Sequence, residues 1–259
     1  MSRTVNNPTA EIIAADIGNT SATIAHMRGL ELLSQFDVSS HAPIGEVIDA
    51  LQDNLREELC ALPLVIASVN PRGLESLSSA WMKRGGDAVV ALGRDFTVPI
   101  PNLAKPPHGV GQDRLVNTLA AVRRTDGNAV VVDFGTAITF DVARDGAYAG
   151  GVITPGIGLA MEALHQKTAL LPLIEPSGKP PIIGTNTAGA INAGVYYGYI
   201  GLVNNILREL LKTYDKRPHV FATGGYGAYL APEIDGIDEV VPALTHEGIA
   251  LAWHEHQAV

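Results

Sequence analysis

The feature that most constrains this chain is a hairpin signature that occurs twice. At residues 128–141, NAVVVDFGTAITFD runs from a β-branched apolar stretch into Asp133, crosses a Gly-Thr turn and re-enters a strand-like alternation. At residues 11–25, EIIAADIGNTSATIA does the same through Asp16, Gly18 and the polar pair Asn19-Thr20. Such an apolar run reads as a buried strand, and it holds the aspartate at its end rigidly. The glycine two residues later has no Cβ, so backbone can come close to a ligand there. The hydroxyls of Thr20 and Thr136 are donors suited to an anion. A single Asp-x-Gly turn describes many plain hairpins. Two in the same frame, about one small domain apart, point to an internal duplication.

The flanking periodicity agrees. Strands expected over 11–16, 22–27 and 30–37 form a meander, and apolar residues at 44, 47, 48, 51 and 55 predict a helix over 44–59. A strand over 63–69, a helix over 72–83 and a strand over 88–91 complete a first half. Residues 96–111 carry four prolines and read as an extended connection. A helix over 112–124 follows, then strands over 129–133, 138–143 and 149–153 and helices over 159–167 and 188–212. A strand over 219–223, a helix after Gly227, a strand near 239–241 and a last helix from Glu247 repeat the order. The expected domains are residues 10–115 and 116–259, two α/β units with mixed sheets and a cleft where Asp16 and Asp133 face each other. Residues 1–10 read as a loose tail.

Composition narrows the partners. Lys and Arg number 18 against 27 Asp and Glu, a net charge of −9, which argues against a nucleic-acid surface. The lone cysteine, Cys60, excludes an internal disulfide and suits a reducing cytoplasm. The first residues lack the apolar core of a secretory signal, and the long uncharged stretch at 182–207 is too broken by Thr, Asn and Gly to cross a membrane.

Neither a Walker loop nor a G-x-G-x-x-G fingerprint is present. His254 and His256 read as a surface pair, since no further ligands accompany them. Asp16 and Asp133 suit a hydrated magnesium ion or a monovalent cation beside a triphosphate, and the amides of 18–20 and 135–137 suit phosphate oxygens. The Gly-Gly at 224–225 is either an opening for an adenosine or a plain helix-entry turn. Asp113, in Gly111-Gln112-Asp113-Arg114, either balances a helix dipole or accepts an alcohol proton during phosphoryl transfer. Arg114 offers a planar two-pronged donor to a carboxylate.

Taken in order, DIGNT (16–20), GVGQDR (109–114), DFGTAITFD (133–141), GGVITPGIGLAMEALHQKTALLP (150–172), GTNTAGAINAGV (184–195) and TGG (223–225) resemble the type III pantothenate kinases of the acetate kinase, hexokinase and actin superfamily. The resemblance implies two similar ribonuclease H-like, actin-type ATPase domains with an interdomain cleft. It implies transfer of the ATP γ-phosphate to the primary hydroxyl of pantothenate, the first step toward coenzyme A, in the cytoplasm. By it, Asp113 is the general base and Gly111, Gln112, Asp113, Arg114 and Thr187 contact pantothenate. Asp16, Gly18, Asn19, Thr20, Thr23, Gly135, Thr136 and Gly224 contact ATP, which arrives with Mg2+, and Asp133 binds K+ or NH4+. A homodimer is implied, with the helix over 188–212 and Tyr196, Tyr197 and Tyr199 as its expected contact. The chain departs from the family at Thr23, where a lysine is usual, and at Ala104 and Pro106-Pro107, where a tyrosine and Asn-Pro are frequent. Those departures favour the alternative of a non-catalytic regulator that binds nucleotide or pantothenate.

Overall fold

The computed structural model describes residues 10–258, so the tail expected over 1–10 lies outside the described residues except for Ala10. The described residues form ten β-strands and seven α-helices. Strands β1 (Glu11–Ile17), β2 (Ser21–Arg28), β3 (Glu31–Ser39), β4 (Leu64–Ser68) and β5 (Val89–Ala91) build a sheet of order β3-β2-β1-β4-β5. The first three are antiparallel neighbours, and β4 and β5 add in parallel. Helices α1 (Ile44–Asn54) and α2 (Pro71–Lys83) make the crossovers, and α3 (Gln112–Arg124) follows β5.

A second sheet repeats the plan. Strands β6 (Ala129–Phe134), β7 (Ala137–Arg144), β8 (Ala147–Pro155), β9 (His219–Thr223) and β10 (Glu239–Val240) take the order β8-β7-β6-β9-β10. Here too the second strand is antiparallel to the first and the fourth is parallel to it. Helices α4 (Ile157–Lys167) and α5 (Thr187–Leu211) precede β9, α6 (Gly227–Leu230) precedes β10, and α7 (Leu244–Gln257) closes the series. The expected duplication is therefore present in the strand order itself.

Each sheet is anchored by its central strand. On β1, Ile13, Ala15 and Ile17 join Leu51, Ile66, Leu77 and Trp81 in one core, and Ile12 and Ala14 on the opposite face are also fully buried. On β6, Val130, Val132 and Phe134 pack with Phe140, Tyr196, Val203, Leu207 and Val220. Burying each large aliphatic side chain contributes about 1.5–3 kcal/mol, so the strand cannot slide, and Asp16 and Asp133 are fixed where the strands end.

The chain packs as two compact units, whose limits differ from the boundary expected at residue 115. The first unit runs through Gly127, takes in Asp145–Ala149 and recovers the chain from Ala243; the second holds Asn128–Arg144 and Gly150–Pro242. Thus α3 and α7 both belong to the first unit. The physical reason is their mutual packing: a Cβ on Gly248 of α7 would stand 2.1 Å from the Val116 carbonyl oxygen of α3, and α7 also packs across β1, β2, β3 and β4.

Three smaller expectations change. Helix α1 stops at Asn54 because Leu55 is extended, and a 3-10 turn at Glu57–Ala61 turns Cys60 inward. Helix α7 starts at Leu244 rather than at Glu247, without a capping side chain to announce it. His254 is not on the surface: it is 8% exposed and makes a backbone hydrogen bond to Gly29, and burial pushes its pKa below the usual histidine value. His256 stays exposed, stacked on Phe96 with ring centroids 4.3 Å apart. No helix among the described residues is long and apolar enough to cross a membrane.

Candidate active site

The first unit carries the Asp16 hairpin and the Asp113 turn. Register places Asp16 opposite Thr23. Asn19 and Thr20 stand exposed at the tip, while Asp16 and Thr23 are half-buried. The tip is tied internally: the Gly18 N–H donates to Ser21 O at 2.9 Å, and the Ser40 hydroxyl donates to Gly18 O at 2.8 Å. That commits the Gly18 amide, which the sequence pattern offers to phosphate. The Thr23 hydroxyl donates to Asp37 Oδ1 at 2.6 Å.

Asp113 sits in the first turn of α3, after the N-cap Gly111. Its carboxylate folds back over that glycine: a Cβ at 111 would stand 2.3 Å from Asp113 Oδ1 and 3.0 Å from Val69 Cγ1. Only glycine leaves the carboxylate this place. Oδ1 is shut off from solvent and has no hydrogen-bond partner. Burial pushes the Asp113 pKa above the usual carboxylate value, against the pull of the Arg114 backbone and charge. A buried, unpartnered carboxylate oxygen is costly, and carboxyls perturbed in this way concentrate at reacting centres. Val69 ties this turn to the hairpin, because its N–H donates to Ile17 O at 3.0 Å.

Around Asp113, Gln112 lies over Gly93, where a Cβ would come within 2.8 Å of Gln112 Nε2. The Arg114 guanidinium carbon stands 5.6 Å from the centroid of the Tyr148 ring, within cation–π range. Tyr148 is fully buried, and its backbone pins the Pro-rich connection: its N–H donates to Pro101 O at 2.8 Å, and its carbonyl accepts from Leu103 N at 2.9 Å. Asn102 closes the loop by donating to Pro107 O at 2.9 Å and accepting from Ala104 N at 3.0 Å. The segment carrying the family departures is therefore held, not slack. Sequence reasoning missed Tyr148, and nothing local to it signals the contact.

The second unit carries the Asp133 hairpin, with Asp133 opposite Thr139. Gly224, at φ +86°, is pressed against its root: a Cβ there would stand 2.4 Å from Asp133 Oδ1 and 2.6 Å from the Phe134 carbonyl carbon. On Gly135 a Cβ would lie 3.3 Å from the same oxygen. Gly156, the N-cap of α4, meets the tip, its N–H donating to Thr136 O at 3.0 Å, where a Cβ would approach that oxygen to 2.3 Å. The structure thus brings Asp133, Gly135, Thr136 and Gly224 together and adds Gly156, which sequence reasoning passes over inside a motif it notes. Thr187 stands on another element, exposed in the first turn of α5 after the capping Asn186.

The three tyrosines of α5 face their own unit. Tyr196 is buried in its core, the Tyr197 hydroxyl donates to Pro180 O at 2.9 Å, and the Tyr199 hydroxyl reaches Pro155 O and Gly156 O at 3.1 and 3.0 Å. Tyr199 thereby steadies the glycine that braces the Thr136 turn.

Comparison with known proteins gives this geometry a context. A family profile described as type III pantothenate kinase matches residues 12–209. A type III pantothenate kinase of Moorella thermoacetica is 34% identical over 252 residues, covering 95% of this chain and 99% of that protein. One from Cereibacter sphaeroides is 36% identical over 247 residues, covering 93% and 96%. Among solved structures, the ethanolamine utilization protein EutJ of Carboxydothermus hydrogenoformans aligns at TM-score 0.55 and 17% identity, covering 95% of this chain and 91% of that one. MreB 5 of Spiroplasma citri bound to AMPPNP aligns at 0.54 and 9%, covering 96% and 98%. These likenesses establish an actin-type fold.

Proposed function

We infer a division of labour for a chain that belongs to the type III pantothenate kinase family. As a member it is a transferase that moves a phosphoryl group from ATP to pantothenate, toward coenzyme A. Asp113 is the general base: its carboxylate takes the proton of the acceptor's primary hydroxyl as that oxygen bonds to the γ-phosphorus and the bond to the β,γ-bridging oxygen breaks, releasing ADP. The observation that carries this is the solvent-shielded, unpartnered Oδ1 of Asp113, together with its raised pKa, which makes it a better proton acceptor than an ordinary carboxylate.

Arg114, shelved on Tyr148, binds the pantothenate carboxylate, with Gly111 and Gln112 beside it; in the second unit Thr187 is assigned to pantothenate by the family resemblance. In the first unit Asn19 and Thr20 are assigned to nucleotide phosphates and Gly18 shapes its turn; in the second unit, taken by itself, Gly135 and Thr136 are assigned to phosphates and Gly224 to the adenosine. Thr23 serves as frame, its hydroxyl proton being directed to Asp37.

For the cations, no cluster of three or more His, Cys, Asp or Glu among the described residues forms a ready-made metal site. The acidic groups offered, Asp16 and Asp133, are hard oxygen donors at strand ends. That set fits Mg2+ carried by ATP beside Asp16 and K+ or NH4+ at Asp133, not a thiolate- or imidazole-seeking metal. When bound, such cations neutralise phosphate charge; the protein's share is to position Asp133, which Gly224 and Gly135 do by leaving it room. Product analysis tests the reading: phosphopantothenate is expected only with ATP and pantothenate together, and with an increase when K+ or NH4+ replaces Na+. ATP consumption without phosphopantothenate would contradict it.

The chain acts in the cytoplasm as a homodimer. On α5, Gly194, Gly198 and Gly201 are exposed, and a methyl group added at any of them would meet nothing within 4 Å. Apolar Ile153, Leu159, Leu170, Ile182 and Ile183 are exposed in the same unit. Small residues at this spacing admit a close-packed second helix. Gly198→Glu is expected to raise the dimer dissociation constant about tenfold or more, because an unpaired carboxylate resists burial. Sedimentation velocity checks this, and an unchanged mass distribution would exclude the α5 face.

A further inference from the structure

The first unit contains a buried histidine to which the phosphoryl transfer assigns no task. His246, in the first turn of α7, is 5% exposed. Its Nε2 lies 3.2 Å from the Thr23 carbonyl oxygen, and its Nδ1 is buried with no partner. A carbonyl only accepts, so the ring is the tautomer with its proton on Nε2, donating to Thr23. Thr23 is the register partner of Asp16, and its hydroxyl donates to Asp37 on β3. The strand that returns from the Asn19-Thr20 tip is therefore pinned on two sides at one residue.

The helix that holds His246 is itself locked to the helix that holds Asp113. Glu247 accepts two hydrogen bonds from Arg124, the shorter at 2.6 Å, and Glu255 pairs with both prongs of Arg123 at 2.6 and 2.8 Å. Gly248 meets the α3 backbone at Val116 with no room for a methyl group.

We propose that His246 is a positioning residue for the nucleotide: through its bond to Thr23 O, α7 sets the stance of the Asp16 hairpin relative to α3 and Asp113. The proposal rests on the reading that this hairpin holds ATP phosphates. Because His246 acts on the hairpin and not on the Arg114 side, its loss alters ATP handling selectively. A merely structural histidine would lower the melting temperature and leave the ratio of the two substrate KM values unchanged.

The test is steady-state kinetics on the full chain with both substrates varied, for wild type, His246→Ala, His246→Gln and Thr20→Ala. His246→Ala is expected to raise KM for ATP about five- to tenfold with KM for pantothenate unchanged, as loss of a buried hydrogen bond implies. His246→Gln, whose amide can donate to the same carbonyl, is expected to restore KM for ATP to within about twofold of wild type. If His246→Ala does not fold, His246→Asn, too short to reach Thr23, supplies the same ratio. An ATP effect in Thr20→Ala without one in the His246 variants overturns the proposal. No ATP effect in Thr20→Ala overturns instead the assignment of the hairpin to ATP. Equal changes in both KM values assign His246 a structural role only and also overturn the proposal.

Discussion

Replacing Asp113 by Asn is expected to lower kcat by about 10²- to 10⁴-fold, the span typical of a lost general base, with KM for ATP nearly unchanged. The same substitution is expected to raise the melting temperature. Burial lifts the folded-state pKa of Asp113 above its unfolded value, so between the two the folded chain binds more protons than the unfolded one. Stability contributed by this group is therefore present below the unfolded pKa and lost as pH rises through the folded pKa. An amide carries no charge to desolvate, which removes that loss above the folded-state pKa. In the wild type the expected sign for activity is opposite: with Asp113 proposed as the base, kcat/KM is expected to fall as pH drops through the raised pKa, because a base must be deprotonated to accept a proton. A pH–rate profile and melting curves for both proteins check the pair of signs. A variant that loses activity and also melts lower at neutral pH would indicate damage to the fold rather than removal of a base.

The second large effect is expected at Gly224. Its φ of +86° belongs to the left-handed region, and a methyl group there would stand 2.4 Å from Asp133 Oδ1 and 2.7 Å from Phe134 N. The neighbours are a fixed strand end and its backbone, so neither gives way cheaply. Gly224→Ala combines roughly 1–3 kcal/mol of backbone strain with roughly 1–3 kcal/mol of overpacking. Melting is expected to fall by several degrees, at about 2–4 °C per kcal/mol for a chain of this size. Displacing Asp133 is also expected to weaken the response to K+ or NH4+, read as the activity ratio in K+ against Na+ buffers. Gly225→Ala is the control, since a Cβ there meets nothing within 4 Å; equal losses in both variants would contradict the argument.

Much of this is legible in the sequence, for identifiable reasons. The central strands announce themselves because AVVV and IIAA are buried on both faces, and the aspartates follow from where those runs stop. Helix α3 is readable to the residue because Gly111 precedes it and Arg123-Arg124 end it. What cannot be read depends on partners far away in the chain. Helices α3 and α7 are buried on all sides through their middle turns, and neither sequence reveals that each packs against the other, so the expected boundary at residue 115 does not coincide with the limits of the compact units. Tyr148, Gly156 and His246 act through contacts with Arg114, Thr136 and Thr23, and no local periodicity encodes such pairs. Burial of His254 is hidden because a His-Glu-His triplet near a chain end looks polar. Gly111 reads as a substrate contact, yet its closest constraint is the carboxylate two residues ahead.

The most direct measurement follows the label of γ-labelled ATP in single turnover with excess enzyme and pantothenate. The account predicts that the label passes to the pantothenate hydroxyl in the wild type and stays on ATP in Asp113→Asn while nucleotide binding persists. Label released as inorganic phosphate regardless of pantothenate, or transferred at an undiminished rate by Asp113→Asn, would contradict it.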